Sequence, residues 1–441
     1  MPSPCDLLVV HGRVVVMDEA RTIIEDGAIA VSSGEIVAVD TSGQLEARFV
    51  TGRTLDAESG IVIPGMVNLH THLAMTVFRG VADDLHLEGF LAALWPLEQR
   101  LSAQSVRAGA TAGIVESLLS GVTTALDMYF YPEEAIPVAE RLGFRLVTGP
   151  VFVGANGAAF TRSHSFEEEL ARASSWLDSH ADAGLGLRRS VGPHSTYVLH
   201  QDQIAAISEL ARDHGAVVHV HAAESAAEVE LVLRERGARP LEVLESASAL
   251  GADTVVAHAV VLEQREQEML AASGTAVAHC PTSNLKLASG IAPVSELRAR
   301  GVPVGIGTDG PASSNDLGVL PAARLAALLQ KHRLGDAQAM PARDAIAMAT
   351  IEGARSLGLD HLLGSIEVGK RADIVIMSAS SVSAAPLHSP FSSLLYSLGK
   401  SDVRHVLVDG RLVVEDGAVT GADETEVARE LSVTARQLLK G

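Results

Sequence analysis

Two imidazoles stand one residue apart in VIPGMVNLHTHLAMTVFRG, residues 62–80, at the end of an apolar run. Side chains at i and i+2 of a strand face the same way. His70 and His72 can therefore reach one metal ion together. Later apolar runs also end in residues of ligand or proton-transfer type: His194, His221 with Glu224 three residues on, His258, His279 and Asp309. Three imidazoles and a carboxylate suit zinc, with iron(II) or manganese(II) as alternatives. Such an ion lowers the pKa of a bound water to about 7, which makes a nucleophile at neutral pH. Glu224 lies just past His221, in a loop placed to shuttle a proton from that water to a leaving group. His258 and Asp309 are placed to orient and polarise the same water.

Other histidines take a plainer reading. A lone histidine on an apolar strand is more often a hydrogen-bonded core residue, and His219 and His279 fall in that class. His219 shares the face of His221 but sits one layer lower. His11, His180, His214, His332, His361 and His405 read as surface residues. A second metal would call for a further bridging anion, often a carboxylated lysine at the end of a fourth barrel strand. The five lysines are Lys286, Lys331, Lys370, Lys400 and Lys440, and none lies near GLRRSVGPH. One metal is the expectation.

Residues this far apart in sequence converge only if the fold brings strand ends together. From about residue 64 to 365, short apolar runs alternate with Ala/Leu/Glu/Arg-rich helical segments. The runs are IVIPGMVNLH, TTALDMYF, RLVTGPVFV, GLRRSVGPH, AVVHVHAAE, TVVAHAV, TAVAHCP and VPVGIGTDG. Continuous hydrophobic strands alternating with helices indicate a parallel, doubly covered sheet. Eight units over this length fit a (β/α)8 barrel, in which every strand C-terminus opens onto one face. A doubly wound open sheet is the alternative, but no Gly-rich phosphate loop follows an early strand. Residues 1–63 and 366–441 share another texture, with β-branched runs punctuated by Gly, Asp and Ser. They predict one small composite β-sandwich domain, with a hairpin turning at Asp409-Gly410 and an amphipathic closing helix.

Bulk properties narrow the partners. The formal charge is −20, from 34 Lys and Arg against 54 Asp and Glu. That average field repels polyanions and argues against nucleic acid or anionic membrane surfaces. A small-molecule substrate is the expected partner, and a homo-oligomer is allowed. Two cysteines, Cys5 and Cys280, make no disulfide framework. The start lacks a basic segment followed by a leader-like core, and no apolar run reaches the ~18 residues a membrane span needs. A cytoplasmic protein is the expectation.

PGMVNLHTH, HVHAAE, VAHAV and GIGTDG, in that order, resemble the amidohydrolase superfamily over essentially the whole chain. HTHLAMTVFRGVADDL, WPLEQRL, DMYF, GPHSTY, CPTSNLKLASGIAPV and GTDGPASSNDL are similar to its S-adenosylhomocysteine/5′-methylthioadenosine deaminase group. The resemblance implies that His70, His72, His221 and Asp309 bind the metal and that Glu224 and His258 handle protons at the attacked carbon. It also implies that Glu98 accepts hydrogen bonds from ribose hydroxyls and that His194 contacts the purine. Without it, Glu98 reads as a helix-surface glutamate. One feature departs from the pattern: the third strand, RLVTGPVFVGANGAAF, lacks the arginine that meets the homocysteine carboxylate, and Arg162 is the nearby candidate. The reading is a hydrolytic deaminase of an adenosine-type nucleoside. The alternatives are a deaminase of guanine-like, pterin or s-triazine rings, a cyclic-amide hydrolase, or a non-catalytic barrel scaffold.

Overall fold

The structure is a computed structural model that describes residues 2–154 and 164–440. Each of the eight apolar runs contributes one strand to the barrel: β1 (Met66–Thr71), β2 (Val122–Asp127), β3 (Arg145–Val147, resuming at Val151–Phe152), β4 (Ser190–Pro193), β5 (Val217–Ala222), β6 (Thr254–His258), β7 (Ala276–His279) and β8 (Val304–Ile306). All their pairings are parallel. Every residue of β1, β2, β5, β6, β7 and β8 is buried. That burial on both faces is why these runs read as continuously apolar rather than alternating.

The ring closes between its first and last strands. The amides of Thr308 and Asp309 donate to the His70 carbonyl at 3.1 and 3.0 Å. A side chain at Gly307 would put its Cβ 2.9 Å from the His70 Cβ and 2.8 Å from the Cys280 Sγ. Only glycine allows this approach. Closure therefore seats Asp309 directly beside His70 and His72.

Strands from both ends of the chain form one nine-stranded sheet. Its path runs from Ala418–Val419 through Val403–Val408 and Ile374–Met377 to Ile61–Pro64, Leu7–Val15 and Glu35–Thr41. The sheet is hydrogen-bonded throughout, with register shifts such as those at Gly12 and between Ala30 and Val31. Such irregularities bend a sheet. Its apolar cluster joins Val9, Val14 and Ile29 from one end of the chain to Ile374, Ile376 and Leu407 from the other. The hairpin turns at Asp409 and Gly410, whose φ values of 56° and 72° are what a two-residue type I′ turn requires. His405 departs from the surface expectation. It is only 5% exposed within Val403–Val408, and its Nδ1 accepts the Asp416 amide at 3.2 Å. The closing helix spans Glu424–Lys440 and packs on the helix Ala103–Leu119. No helix among the described residues is long and apolar enough to cross a membrane.

One buried ion pair ties the terminal sheet to the barrel. Arg145, at the start of β3, is 1% exposed. Its Nε and Nη2 donate to the two carboxylate oxygens of Asp373 at 2.7 and 3.0 Å, and Nη2 also reaches Asp409 Oδ1 at 3.0 Å. Asp373 precedes Ile374–Met377, and its carbonyl accepts the Gly65 amide just before β1. Removing one partner of a buried pair leaves an uncompensated charge, at about 3–5 kcal/mol. Arg145→Met is expected to lower the unfolding free energy by about that much, read from the midpoint of a urea titration. An unchanged midpoint would mean the pair contributes nothing to holding the two parts together.

Candidate active site

The strand ends deliver four ligand atoms to one point. His70, His72, His221 and Asp309 each offer one atom, all within 4.8 Å of one another. His70 Nε2 and His72 Nε2 both lie 3.2 Å from Asp309 Oδ1, and His221 Nε2 lies 3.4 Å from His72 Nε2. The opposite ring nitrogens explain which atoms face inward. His72 Nδ1 lies 2.5 Å from the Met128 carbonyl, and His221 Nδ1 lies 2.9 Å from the His194 carbonyl. A carbonyl only accepts, so Nδ1 carries a proton in both rings, and Nε2 is the nitrogen left to bind an ion. His70 Nδ1 lies 2.7 Å from His219 Nε2, and its own Nε2 is buried and faces Asp309, with no hydrogen-bond partner among the described residues. The Asp309 carboxylate is oriented too: Ser283 and Ser313 hydroxyls donate to Oδ2, both at 2.6 Å, leaving Oδ1 for the histidines.

Bare nitrogens facing a carboxylate oxygen in a buried cup repel unless a cation sits among them. Burial first, and then the neighbouring imidazoles, hold His70 down at about 3 and His221 well below the usual range. Both are therefore neutral, as a metal ligand must be. Burial opposes charge on His72 as well, but Asp309 raises its proton affinity. Burial likewise opposes charge on Asp309, yet its contacts with His70 and His72 hold it well below the usual carboxylate range. The donor set fits one divalent ion, with Nδ1 of each imidazole braced as metal-binding histidines are.

Glu224 and His258 stand beside this cup. The Glu224 carboxylate is 4% exposed and lies 3.7 Å from His258 Nε2. Burial, then the Asp309 charge, raises its pKa well above normal. A carboxyl whose proton affinity is raised in this way is suited to carry a proton between two partners. His258 Nδ1 donates to Asn284 Oδ1 at 2.9 Å, which turns Nε2 toward Glu224. Ala223, His258 and Asp309 all have left-handed backbones, with φ of 54°, 75° and 62°. Non-glycine residues hold that conformation only where their surroundings impose it.

The cup opens into a cavity lined by His72, Glu98, Tyr129, His194, Glu224 and Asp309 among others. Glu98, at the end of the helix Leu87–Glu98, is 4% exposed, so the helix-surface reading gives way. The Tyr129 hydroxyl donates to its Oε1 at 2.9 Å. His194 follows β4 and lies against His221, the rings tilted by 38° with centroids 4.7 Å apart. Arg162 lies outside the described residues. Sequence reasoning passed over His219 as a core residue, and it passed over Tyr129, Ser283, Asn284 and Ser313 altogether. Only the i, i+2 spacing of His219 and His221 offered a signal. His279 stays buried with no partner for either nitrogen among the described residues.

The profile of the amidohydrolase family matches residues 61–413. A 5-methylthioadenosine/S-adenosylhomocysteine deaminase from Haloarcula marismortui is 40% identical over 440 residues, covering 99% of each chain. A 5′-deoxyadenosine deaminase from Methanopyrus kandleri is 38% identical over 437 residues, covering 98% of this chain and 99% of its own. Among solved structures, an adenosine deaminase from Xanthomonas campestris with bound zinc superposes with a TM-score of 0.95. It is 34% identical, with all of both chains covered. With the profile matched over most of the chain and the fold shared with a solved relative, this chain belongs to the amidohydrolase family.

Proposed function

We propose that this protein is a zinc-dependent deaminase that hydrolyses the 6-amino group of an adenosine-type nucleoside, giving the inosine analogue and ammonia. The observation that carries this reading is the placement of Glu224. Its buried carboxylate stands beside a metal-fitting cup, at the edge of a cavity whose wall also holds Glu98. Relatives named for 5-methylthioadenosine, S-adenosylhomocysteine and 5′-deoxyadenosine support the substrate class.

His70, His72, His221 and Asp309 would hold one zinc ion. When bound, zinc supplies a Lewis acid that acidifies the attacking water. Glu224 takes a proton from that water and delivers it to the ring nitrogen next to C6. A C–O bond forms at C6, the C–N bond breaks, and ammonia leaves with the remaining proton. His258, held by Asn284, orients the water and stabilises the oxygen as it gains charge. Glu98 has one oxygen engaged by Tyr129, which leaves the other for a ribose hydroxyl. His194 packs against the purine.

The cavity wall along Leu87–Glu98 presents Leu87, Phe90, Leu91 and Leu94. No lysine or arginine is among its described lining residues. A small neutral 5′ group, as in methylthioadenosine or a 5′-deoxynucleoside, suits such a wall. A second reading has one observation in its favour. An adjoining hollow shares Tyr129 and Val151 with the cavity and carries Arg172, which offers a cation to a carboxylated 5′ tail.

Zinc-loaded protein is expected to release ammonia from methylthioadenosine and adenosine. A chelator should abolish the activity and added zinc should restore it. Turnover of guanine or a triazine in preference to every nucleoside would overturn the substrate class. Glu224→Gln is expected to keep its zinc and lose about 10²-fold or more in kcat; near-normal turnover in that variant excludes Glu224 as the proton carrier. Glu98→Gln should raise KM for adenosine by roughly 10-fold or more, the worth of a hydrogen bond to a charged group. The same change should leave KM for 2′,3′-dideoxyadenosine little altered. Equal effects on both substrates would remove Glu98 from the ribose site.

A further inference from the structure

SAAE, residues 225–228, has the form of a helix capping box, in which an N-cap serine and a glutamate three residues on satisfy each other's amides. The helix Ala226–Arg236 does begin there, and Ser225 Oγ accepts the Glu228 amide at 3.0 Å. The return bond does not go to Ser225. Glu228 instead accepts the amide of Ala223 at 3.0 Å and that of Glu224 at 2.5 Å. A residue type that usually finishes a helix end is thus turned onto the loop before it.

That loop has a special task. β5 ends at Ala222, opposite His258, and the next residue, Ala223, adopts a left-handed φ of 54°. The left-handed turn takes the Ala223 and Glu224 amides out of the strand ladder. Buried amides without an acceptor are rare because leaving them unpaired is costly. Glu228 is 3% exposed and is the acceptor for both. The carbonyl of Ala223 is held as well, by the amides of Val260 and Val261 beyond β6. Both polar backbone atoms of Ala223 are therefore fixed, and Glu224 is presented from a braced turn.

We propose that Glu228 is a positioning residue: its carboxylate grips the backbone of Ala223 and Glu224 and so holds the Glu224 side chain at its working distance from His258. The inference rests on Glu224 being the proton carrier. Geometry explains why a carboxylate is used. Its two oxygens accept two amides, whereas a glutamine at the same place has one acceptor and one donor, and the donor faces an N–H. Aspartate is one methylene shorter and cannot span both amides.

The test is Glu228→Gln, measured in the wild-type and Glu224→Gln backgrounds, with methylthioadenosine as substrate. In the wild-type background kcat should fall roughly 10- to 100-fold, the scale of a small misplacement of a catalytic group. KM and zinc content should stay within about twofold, because substrate and metal contacts are untouched. In the Glu224→Gln background the further loss should vanish, since there is no carboxylate left to position. Hydrogen exchange, followed by mass spectrometry on peptides spanning residues 220–226, should quicken in Glu228→Gln whether or not substrate is present. Unchanged kcat, an equal loss in both backgrounds, or unchanged exchange would each overturn the proposal. Glu228→Asp keeps the charge and should show the same losses, which covers the case in which the glutamine variant folds poorly. A wild-type protein inert toward every nucleoside would refute the substrate reading instead, and the exchange experiment would still decide whether Glu228 grips the loop.

Discussion

The rest of the structure depends on one unfavourable arrangement: imidazole nitrogens without protons, crowded against a carboxylate oxygen in a buried cup. Lone pairs do not collect in this way unless something holds them. Here each ring is held from behind. The Met128 and His194 carbonyls take the Nδ1 protons of His72 and His221, and His219 occupies the corresponding place behind His70. Two serine hydroxyls take the outer oxygen of Asp309. The ligand set is pre-organised by neighbours that never touch the ligand point.

Those neighbours come from β2, β4, β5, β7 and β8 or the segments just past them, so the barrel must be rigid where it meets them. Rigidity is supplied at both ends. At the strand N-termini, Arg145 and Asp373 lock the barrel to the terminal sheet. At the C-termini, left-handed residues re-aim the chain, and hydrogen bonds from adjacent loops pin it. Such backbones are tolerated where the surroundings over-determine them. The amides of Val260 and Val261 on Ala223, and those of Thr308 and Asp309 on His70, are that over-determination.

Much of this was legible in the sequence, for a physical reason. A strand buried on both faces must be apolar throughout, so a polar residue at its end stands out. His70, His72, His221, His258 and Asp309 were visible because each interrupts such a run at the same relative place. The type I′ turn at Asp409-Gly410 was visible because few residue pairs can adopt it. What stayed hidden depends on contacts between elements. Glu98 lies in a helix whose periodicity does not say which face meets the barrel mouth, and its partner Tyr129 is 31 residues away. His219 looked like a core residue because the atom it serves is 149 residues away in sequence. Glu228 was not singled out from the sequence: its spacing to Ser225 matches an ordinary helix cap, and only the loop geometry reveals that it bonds elsewhere. His405 was placed on the surface because a polar residue in an exposed-looking hairpin gives no hint that its strand is sandwiched.

Charge also shapes what the cup can accept. His70 and His221 are held neutral by burial, while Asp309 stays ionised. One divalent ion beside Asp309 would leave a net charge of about +1, and an ionised Glu224 close by would cancel it. The assembled site would then be nearly neutral before substrate enters, and a neutral purine could enter without stranding a charge in the low-dielectric interior. On the proposed mechanism, a proton passing from water to Glu224 would leave the net charge of the site unchanged and move negative charge from the carboxylate to the attacking oxygen. Such a transfer would place that charge where the cup can stabilise it. Shifting Glu224 away from His258 would weaken that coupling even with every ligand still in place.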